Sequence, residues 1–295
     1  MMKETFNHEL PSTTVLQSRL KIFQPTRRPK FLKDEKFVNI WGTLVVTGKL
    51  GQGHADVLEA LLYCAEAQAT LEDGRFKILI DPYTVRKYAN VSSTKELISF
   101  MDDLMMAIIH FDYFSHKNKH QCVGAGHLID HLQIAKRSNG DKITRKNPLN
   151  QGQRPLLRIE IGKVLSNFIL EDTWITVNPN NIAKLKNGIS QAVARYVRGH
   201  HVEPKGGWIL DNLLIKLTGV EPNSQQIRDR RRELRKEIVG LELAGTRLIG
   251  NRIQKAKKVI EKHKNTSSVE QTSDGVEQTS DGVEQISEVW SKPPG

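Results

Sequence analysis

Apolar residues fall into two rhythms along the chain, and the change of rhythm marks its elements. In the stretch 54–67, HADVLEALLYCAEA, residues Val57, Leu58, Leu61, Leu62 and Ala65 recur at helical spacing with no breaker between them, which predicts an amphipathic helix. The run KFVNIWGTLVVT at 36–47 is β-branched and aromatic and is interrupted by Gly42, which predicts a strand or a short hairpin. A short strand at 76–80 and a short helix at 82–88 follow, with Pro82 suited to a first helical turn. After a turn at 89–92, Ser93 offers a capping hydroxyl and Glu96 completes a capping box. The stripe Leu97, Met101, Leu104, Met105 and Ile108 carries that start into a longer helix. Strand-like stretches at 110–115, 127–135 and 156–161 come next, the last two flanking the loop KRSNGDKITRKNPLNQGQRP.

The second half repeats this order without repeating the residues. Strand-like FILEDTWITV precedes a long helix at 181–197 with Ile182, Leu185, Ile189, Val193 and Tyr196 on one face. The loop HHVEPKGG leads into a helix at 208–217 closed by Gly219, then a third helix at 225–243, Gly245 and the strand-like TRLIGNRIQ. Two helices across a tight turn, followed by strands around a basic loop, is the order of a winged helix. The expectation is an α+β protein of two tandem winged-helix (helix-turn-helix) domains, 36–162 and 163–256. Residues 1–35 contain Pro11, Pro25 and Pro29 among many bases and predict a mobile basic arm. Residues 257–295 turn from basic to acidic and hold VEQTSDG twice, then VEQISEV. Each full heptad carries one apolar residue and a Gly, so disorder is expected there rather than a coiled coil.

Composition sharpens this picture in one respect. With 38% hydrophobic and 26% charged residues over 295 positions the chain has a globular mix, but its net charge is +11. The bases are clustered: 228–264 holds 13 of them against 5 acids, and 136–158 holds 7 against one. The acidic tail masks part of this excess, so the body is more basic than the total. A body of this kind attracts polyanions, and double-stranded DNA is the first partner to expect. The two cysteines, Cys64 and Cys122, are too few for a disulfide framework and fit a reducing cytoplasm. No apolar run suits a bilayer and the first residues lack a secretory signal, so the expected protein is cytoplasmic, nucleoid-associated and without a membrane partner.

The candidate DNA-contacting residues follow from the clusters. On helix 225–243, Ile227, Leu234, Ile238 and Leu241 form an apolar stripe, while Arg228, Arg232 and Arg235, flanked by Arg231 and Lys236, form a basic one suited to a major groove. Asp229, Glu233 and Glu237 lie among them at ion-pair spacing, the alternative use of those arginines. The first domain's equivalent helix carries Asp102 and Asp103, leaving Ser93 and Lys95 at its start. The loop bases Lys136, Arg137, Lys142, Arg145, Lys146 and Arg154 suit phosphates, and Arg27, Arg28 and Lys30 could reach a minor groove. Six residues, His110, His116, His120, Cys122, His127 and His131, crowd one region, but their spacings match no zinc signature and strand alternation is expected to keep them apart. No metal or cofactor is expected. Tyr196, beside His200 and His201, lies on an apolar stripe, and GKLGQG lacks a P-loop ending, so no catalytic constellation is expected either.

The stretch NIWGTLVVTGKLGQGHADVLEALLYCAE, the short and long helix pair after it, and QQIRDRRRELRKEIVGLELAGTRL resemble the tandem winged-helix plasmid replication initiators, most closely the TrfA type. The likeness of pattern spans roughly 36–256. It implies binding of direct repeats at an origin, dimers inactive in initiation, and recruitment of a host initiator and helicase. It also sets Arg228, Arg231, Arg232 and Arg235 on a recognition helix. The acidic first recognition helix and the heptad tail depart from that pattern. A repressor of its own operon and a DNA-nicking enzyme are the alternative functions.

Overall fold

A computed structural model describes residues 10–39, 42–115, 119–147, 152–218 and 223–256. The expected disorder of the tail, 257–295, lies outside these residues, as do the first nine positions of the arm. What is described of the arm corrects the expectation of mobility. Strand β1 (Thr13–Thr14) and helix α1 (Val15–Arg19) are buried, and Leu10, Leu16, Leu20, Ile22 and Phe23 enter the first hydrophobic core. Thr14 caps α1 by accepting from the Gln17 N–H at 3.2 Å, while the Asp172 carboxylate accepts from the Leu16 N–H. Further on, Gln24 donates to Lys30 O at 2.6 Å and accepts from Lys30 N–H at 3.1 Å, closing 24–30 into a fixed loop. Prolines here shape a packed strap, because the apolar residues between them have a core to enter.

The first half then follows the sequence rhythm closely. Strand β2 (Leu32–Asn39) pairs antiparallel with β3 (Gly42–Gly48), which sinks Leu44 and Val46 into the core. Helix α2 (Gln52–Tyr63) is buried from Gln52 to Leu62, on its polar face as well as its apolar one. Strands β4 (Ala67–Thr70) and β5 (Phe76–Ile80), helix α3 (Pro82–Ala89) and helix α4 (Thr94–Met106) follow. Ser93 caps α4 as expected, accepting from Glu96 N–H at 3.1 Å, while the Glu96 carboxylate reaches Ser92. Strand β6 (Ile108–Ser115) alternates strictly, with Ile109, Phe111 and Tyr113 inward, and turns back as β7 (His120–Gly126). The basic loop lies between β8 (Ile129–Ile134) and β11 (Leu157–Ile161), and it contains its own hairpin of β9 (Thr144–Lys146) and β10 (Gln153–Pro155).

Two corrections concern the connection between the halves. FILE, read as strand, closes helix α5 (Lys163–Glu171), because Val164, Leu165, Phe168 and Ile169 share a helical face that fills the first core; only β12 (Trp174–Ile175) is extended. Residues 163–171 thus pack with the first core, and the second begins at Ile182. The long helix expected at 181–197 is two, α6 (Asn180–Ala183) and α7 (Gly188–Arg198), separated at Asn187. Strand β13 (Trp208–Ile209), helix α8 (Leu210–Thr218) and helix α9 (Ser224–Lys236) follow. The third helix also breaks, at Glu237, into α9 and α10 (Ile238–Leu243), so Ile238 is 39% exposed while Leu234 and Leu241 are buried. The chain ends its described part in a hairpin of β14 (Thr246–Ile249) and β15 (Arg252–Lys255).

Sheet order makes the internal repetition explicit. The sheets run β2-β3-β6-β7, β4-β5-β11-β8 and β13-β15-β14, with two-stranded pairs β1-β12 and β9-β10. With β4, β6, β7, β9 and β10 as additions to the first half and α10 to the second, one half runs α2, β5, α3, α4, β8, β11 and the other α7, β13, α8, α9, β14, β15. Each time the last strand lies between the other two. The halves meet where Arg195 of α7 reaches across to α2. Its guanidinium donates to Asp56 at 2.6 Å, Glu59 at 3.1 Å and Gln52 at 2.7 Å, and Gln191 donates to Asp56 at 2.9 Å. This explains the buried polar face of α2.

Candidate nucleic-acid interface

Asn223 opens α9 with a reciprocal cap: its side chain accepts from Gln226 N–H at 2.8 Å and Gln226 accepts from Asn223 N–H at 3.0 Å. Leu234 is the one buried residue of the helix, so most of α9 stands on the surface. Arg228, Arg232, Arg235 and Lys236 are exposed. Arg232 pairs with Asp229 at 2.8 Å across one turn, and Arg228 donates to Gln225 at 3.0 Å; contacts of this kind in water are weak and exchangeable. Arg231 differs. It turns toward α8, where its guanidinium grips Asp211 with both nitrogens, the Nε contact at 2.8 Å, so it serves packing of the two helices.

Beside this helix lies a cavity of about 570 Å³, lined by Arg27, Arg28, Lys186, Gly188, Gln226 and Arg230 among others. The strap lies directly on the start of α7 because Gly188 has no side chain: a Cβ there would stand 2.4 Å from Thr26 Cα. Arg27 donates to Leu185 O at 3.1 Å, which fixes it against the body and corrects its reading as part of a free arm. Glu237, at the break after α9, accepts from Asn187 N–H at 3.1 Å and from its side-chain amide at 2.8 Å. That carboxylate at the start of α7 couples α9 to α7, and Asp229 and Glu233 also line the cavity. Lys186 escapes the sequence reading because a continuous helix through 181–197 is expected there, and Arg230 because it lies off the Arg228, Arg232 and Arg235 stripe of its own helix. The signal was the sequence Asn187-Gly188, a helix start.

In the first half, Ser93 and Lys95 are exposed at the start of α4, with the Ser93 hydroxyl occupied as a cap. Arg86 braces the turn before them, donating to Ser92 O at 2.5 Å. Of the two acids on α4, Asp103 is partly spent inside the fold: it accepts from His54 Nε2 at 2.9 Å, while His54 Nδ1 accepts from Gly51 N–H at 3.1 Å. These two contacts assign the neutral Nε2–H form, and burial holds the His54 pKa below its ordinary value despite Asp103.

The basic loop is built, not slack. Lys136 bridges Lys142, Arg137 N–H donates to Asp141 O at 2.8 Å, and Ile143 packs at the root on Leu79, Ala135 and Leu156. Lys136, Arg137, Lys142, Arg145 and Lys146 are exposed along it, with Arg145 paired to Glu66 at 2.7 Å. Arg154 is the exception to the phosphate-facing expectation. It donates to both oxygens of the buried Asp81, at 2.9 and 2.5 Å, and stacks on Tyr83. Burial pushes the Asp81 carboxyl up, but Arg154, Tyr83 N–H and Thr84 together hold it below its ordinary value.

The histidine-rich region requires one correction. His120 and Cys122 lie two residues apart on β7 and so share a face, and Glu171 from the end of α5 joins them; the three donor atoms lie within 4.8 Å of one another. Strand alternation therefore brings this pair together, contrary to the expectation that alternation keeps such ligands apart. His127 is used elsewhere, donating through Nδ1 to Ala107 O at 2.9 Å; His116 lies outside the described residues. Tyr196 is buried in the second core beneath Lys216, with the His200 ring 4.3 Å away. Among the described residues no helix is long and apolar enough to cross a membrane.

No family model matches the chain, and no curated protein matches it. Among solved structures the fold is similar to the crystal structure of selenomethionine derivatives of domain 2 and domain 3 of RctB, with a TM-score of 0.51 at 12% sequence identity, over 81% of this chain and 95% of that one. The chain is thus a mixed α+β protein whose described elements share their overall arrangement with those two domains.

Proposed function

We propose that this protein is a sequence-specific double-stranded DNA-binding replication initiator of two winged-helix units, engaging direct repeats at an origin. The observation that carries the reading is the twice-repeated element order whose second copy contains α9, a helix with Arg228, Arg232, Arg235 and Lys236 exposed. In this reading α9 enters a major groove, and the cations around the neighbouring cavity and along the β9–β10 loop lie on phosphates. Ser93 and Lys95 make the lighter contacts of the first unit. The likeness to domains 2 and 3 of RctB supports the fold, and the exposed cations of α9 and the basic loop support the kind of function. Narrowing to the TrfA type, with its plasmid setting, inactive dimers and host initiator and helicase, rests on the sequence pattern. The reading needs no catalytic group or cofactor.

The test is retention of DNA fragments flanking the protein's own gene, with nonspecific competitor, across a salt series. Ladder-like retention of a fragment bearing short direct repeats, with affinity falling steeply in salt, is the expected result. A single-step complex over the promoter alone would favour an autorepressor. Equal weak retention of every fragment would remove specific recognition altogether, and strand cleavage of supercoiled DNA lost in Tyr196→Phe would favour a nicking enzyme.

A further inference from the structure

His120, Cys122 and Glu171 meet at a place the DNA-binding reading does not use. His120 and Cys122 open the edge strand of the β2-β3-β6-β7 sheet, and Glu171 is the last residue of α5, the helix that leads out of the first core. Cys122 Sγ lies 3.4 Å from His120 Nε2, which lies 3.6 Å from Glu171 Oε2. A tetrahedral zinc with Zn–S of about 2.3 Å and Zn–N and Zn–O of about 2.0 to 2.1 Å separates its ligands by about 3.5 Å for S to N and about 3.4 Å for N to O. Those two distances match these separations, while the Cys122 and Glu171 donors lie within 4.8 Å of each other and would close to about 3.5 Å around the ion. The end of α5 is already held beside this hairpin: Ser115, the last residue of β6 and the register partner of His120 on β7, donates to Glu171 O at 3.0 Å. Cys122 is buried and Glu171 partly so, while His120 is half-exposed, so the arrangement has a closed floor and an open side.

We propose that His120, Cys122 and Glu171 form a zinc site that clamps the β7 edge strand to the end of α5. The ligands are a thiolate, an imidazole and a carboxylate, the donor set that borderline-soft divalent ions favour over magnesium or calcium. The Cys122 thiol gives its proton to solvent on binding, and the fourth position is left to water or to an incoming donor. Bound metal stabilises the folded chain by mass action, so zinc raises the melting temperature in a concentration-dependent way.

The experiment is zinc and cobalt titration of the full-length, metal-stripped protein, followed by competition with a chromophoric chelator, absorption spectroscopy and thermal denaturation. The expected result is one metal ion per chain. The cobalt form should show a thiolate-to-cobalt charge-transfer band that survives in Cys64→Ser and disappears in Cys122→Ser. His120→Asn, which alters a half-exposed side chain, and Glu171→Gln should each weaken zinc binding at least tenfold and abolish the zinc-dependent rise in melting temperature, with the circular dichroism spectrum of the metal-free protein unchanged. No uptake by the wild-type chain, a charge-transfer band that persists in Cys122→Ser, or equal zinc affinity in wild type and His120→Asn would each overturn the proposal and leave the trio as a hydrogen-bonded cluster.

Discussion

Arg231 and Arg235 lie one turn apart on α9 and are used differently. Arg231 is tied to Asp211, whereas Arg235 is exposed with no ion pair to it among the described residues. Replacing Arg232 and Arg235 together with Ala should weaken specific DNA binding by more than about 2 kcal/mol in total if both reach base edges, with little change in the melting curve. Arg231→Ala should instead cost up to about 1 kcal/mol of stability, because the pair is partly screened by water. Equal affinity of wild type and the double variant would take α9 out of the interface. His200 offers a pH test. Burial pulls its pKa from 6.5 to about 4, aided by Arg19, Lys216 and Lys255, although its contact with Tyr196 O works the other way. As pH falls below 6.5 the unfolded chain takes the proton before the folded one, so stability drops until about pH 4, where both forms are protonated. Urea unfolding at pH 7 and pH 5 should show that loss in the wild type and a smaller one in His200→Gln; identical losses would exclude His200 as the source.

At the level of elements, the basic loop divides into a surface for contact and a root for rigidity. Arg154 closes over a carboxylate that is fully buried and that also caps α3. Arg154→Ala leaves Asp81 without its cation and should destabilise the protein by about 3 kcal/mol, whereas Lys146→Ala should change stability by less than about 0.5 kcal/mol and act on DNA affinity and its salt slope. Calorimetry and a binding isotherm on the two variants separate these effects, and a stable Arg154→Ala would show that the loop needs no anchor. The element boundaries show where periodicity is readable. Helix α2, strand β5, helix α3 and the Ser93 start of α4 were legible because each has a clean stripe or cap. The breaks at Asn187 and Glu237 were not, because apolar spacing runs straight through both. They are set by the Glu237 carboxylate bonding the backbone and side chain at the start of α7, a contact between residues 50 apart in sequence.

On the scale of the molecule, the buried network of Arg195, Arg198, Asp56, Glu59, Gln52 and Gln191 joins the two repeated halves. Burial pushes the Asp56 carboxyl up while Arg195 pulls it down, and the net direction is up, as for a charge with little access to water. Removing one partner strands the others. Arg195→Ala should therefore cost about 3 to 5 kcal/mol, and a combined exchange of Arg195, Asp56 and Glu59 for apolar residues of similar size should recover most of it. Denaturant unfolding should also lose cooperativity in Arg195→Ala, the second half melting first; a single unshifted transition would mean that the strap alone holds the halves together.

The sequence by itself determined the α+β character, the helix pair of each half, the basic loop and the positions of Arg228, Arg232, Arg235 and Lys236, because those depend on local spacing, capping and charge density. Tertiary structure alone decided the rest. A charged residue on a helix face reads the same whether it meets water, a partner or DNA, so nothing local distinguished Asp56, Glu59, Arg154 and Arg231 from surface charges. Likewise the apolar residues of 10–23 could be recognised as core only once a core existed for them to enter, and His120, Cys122 and Glu171 became neighbours only when β7 was laid against α5.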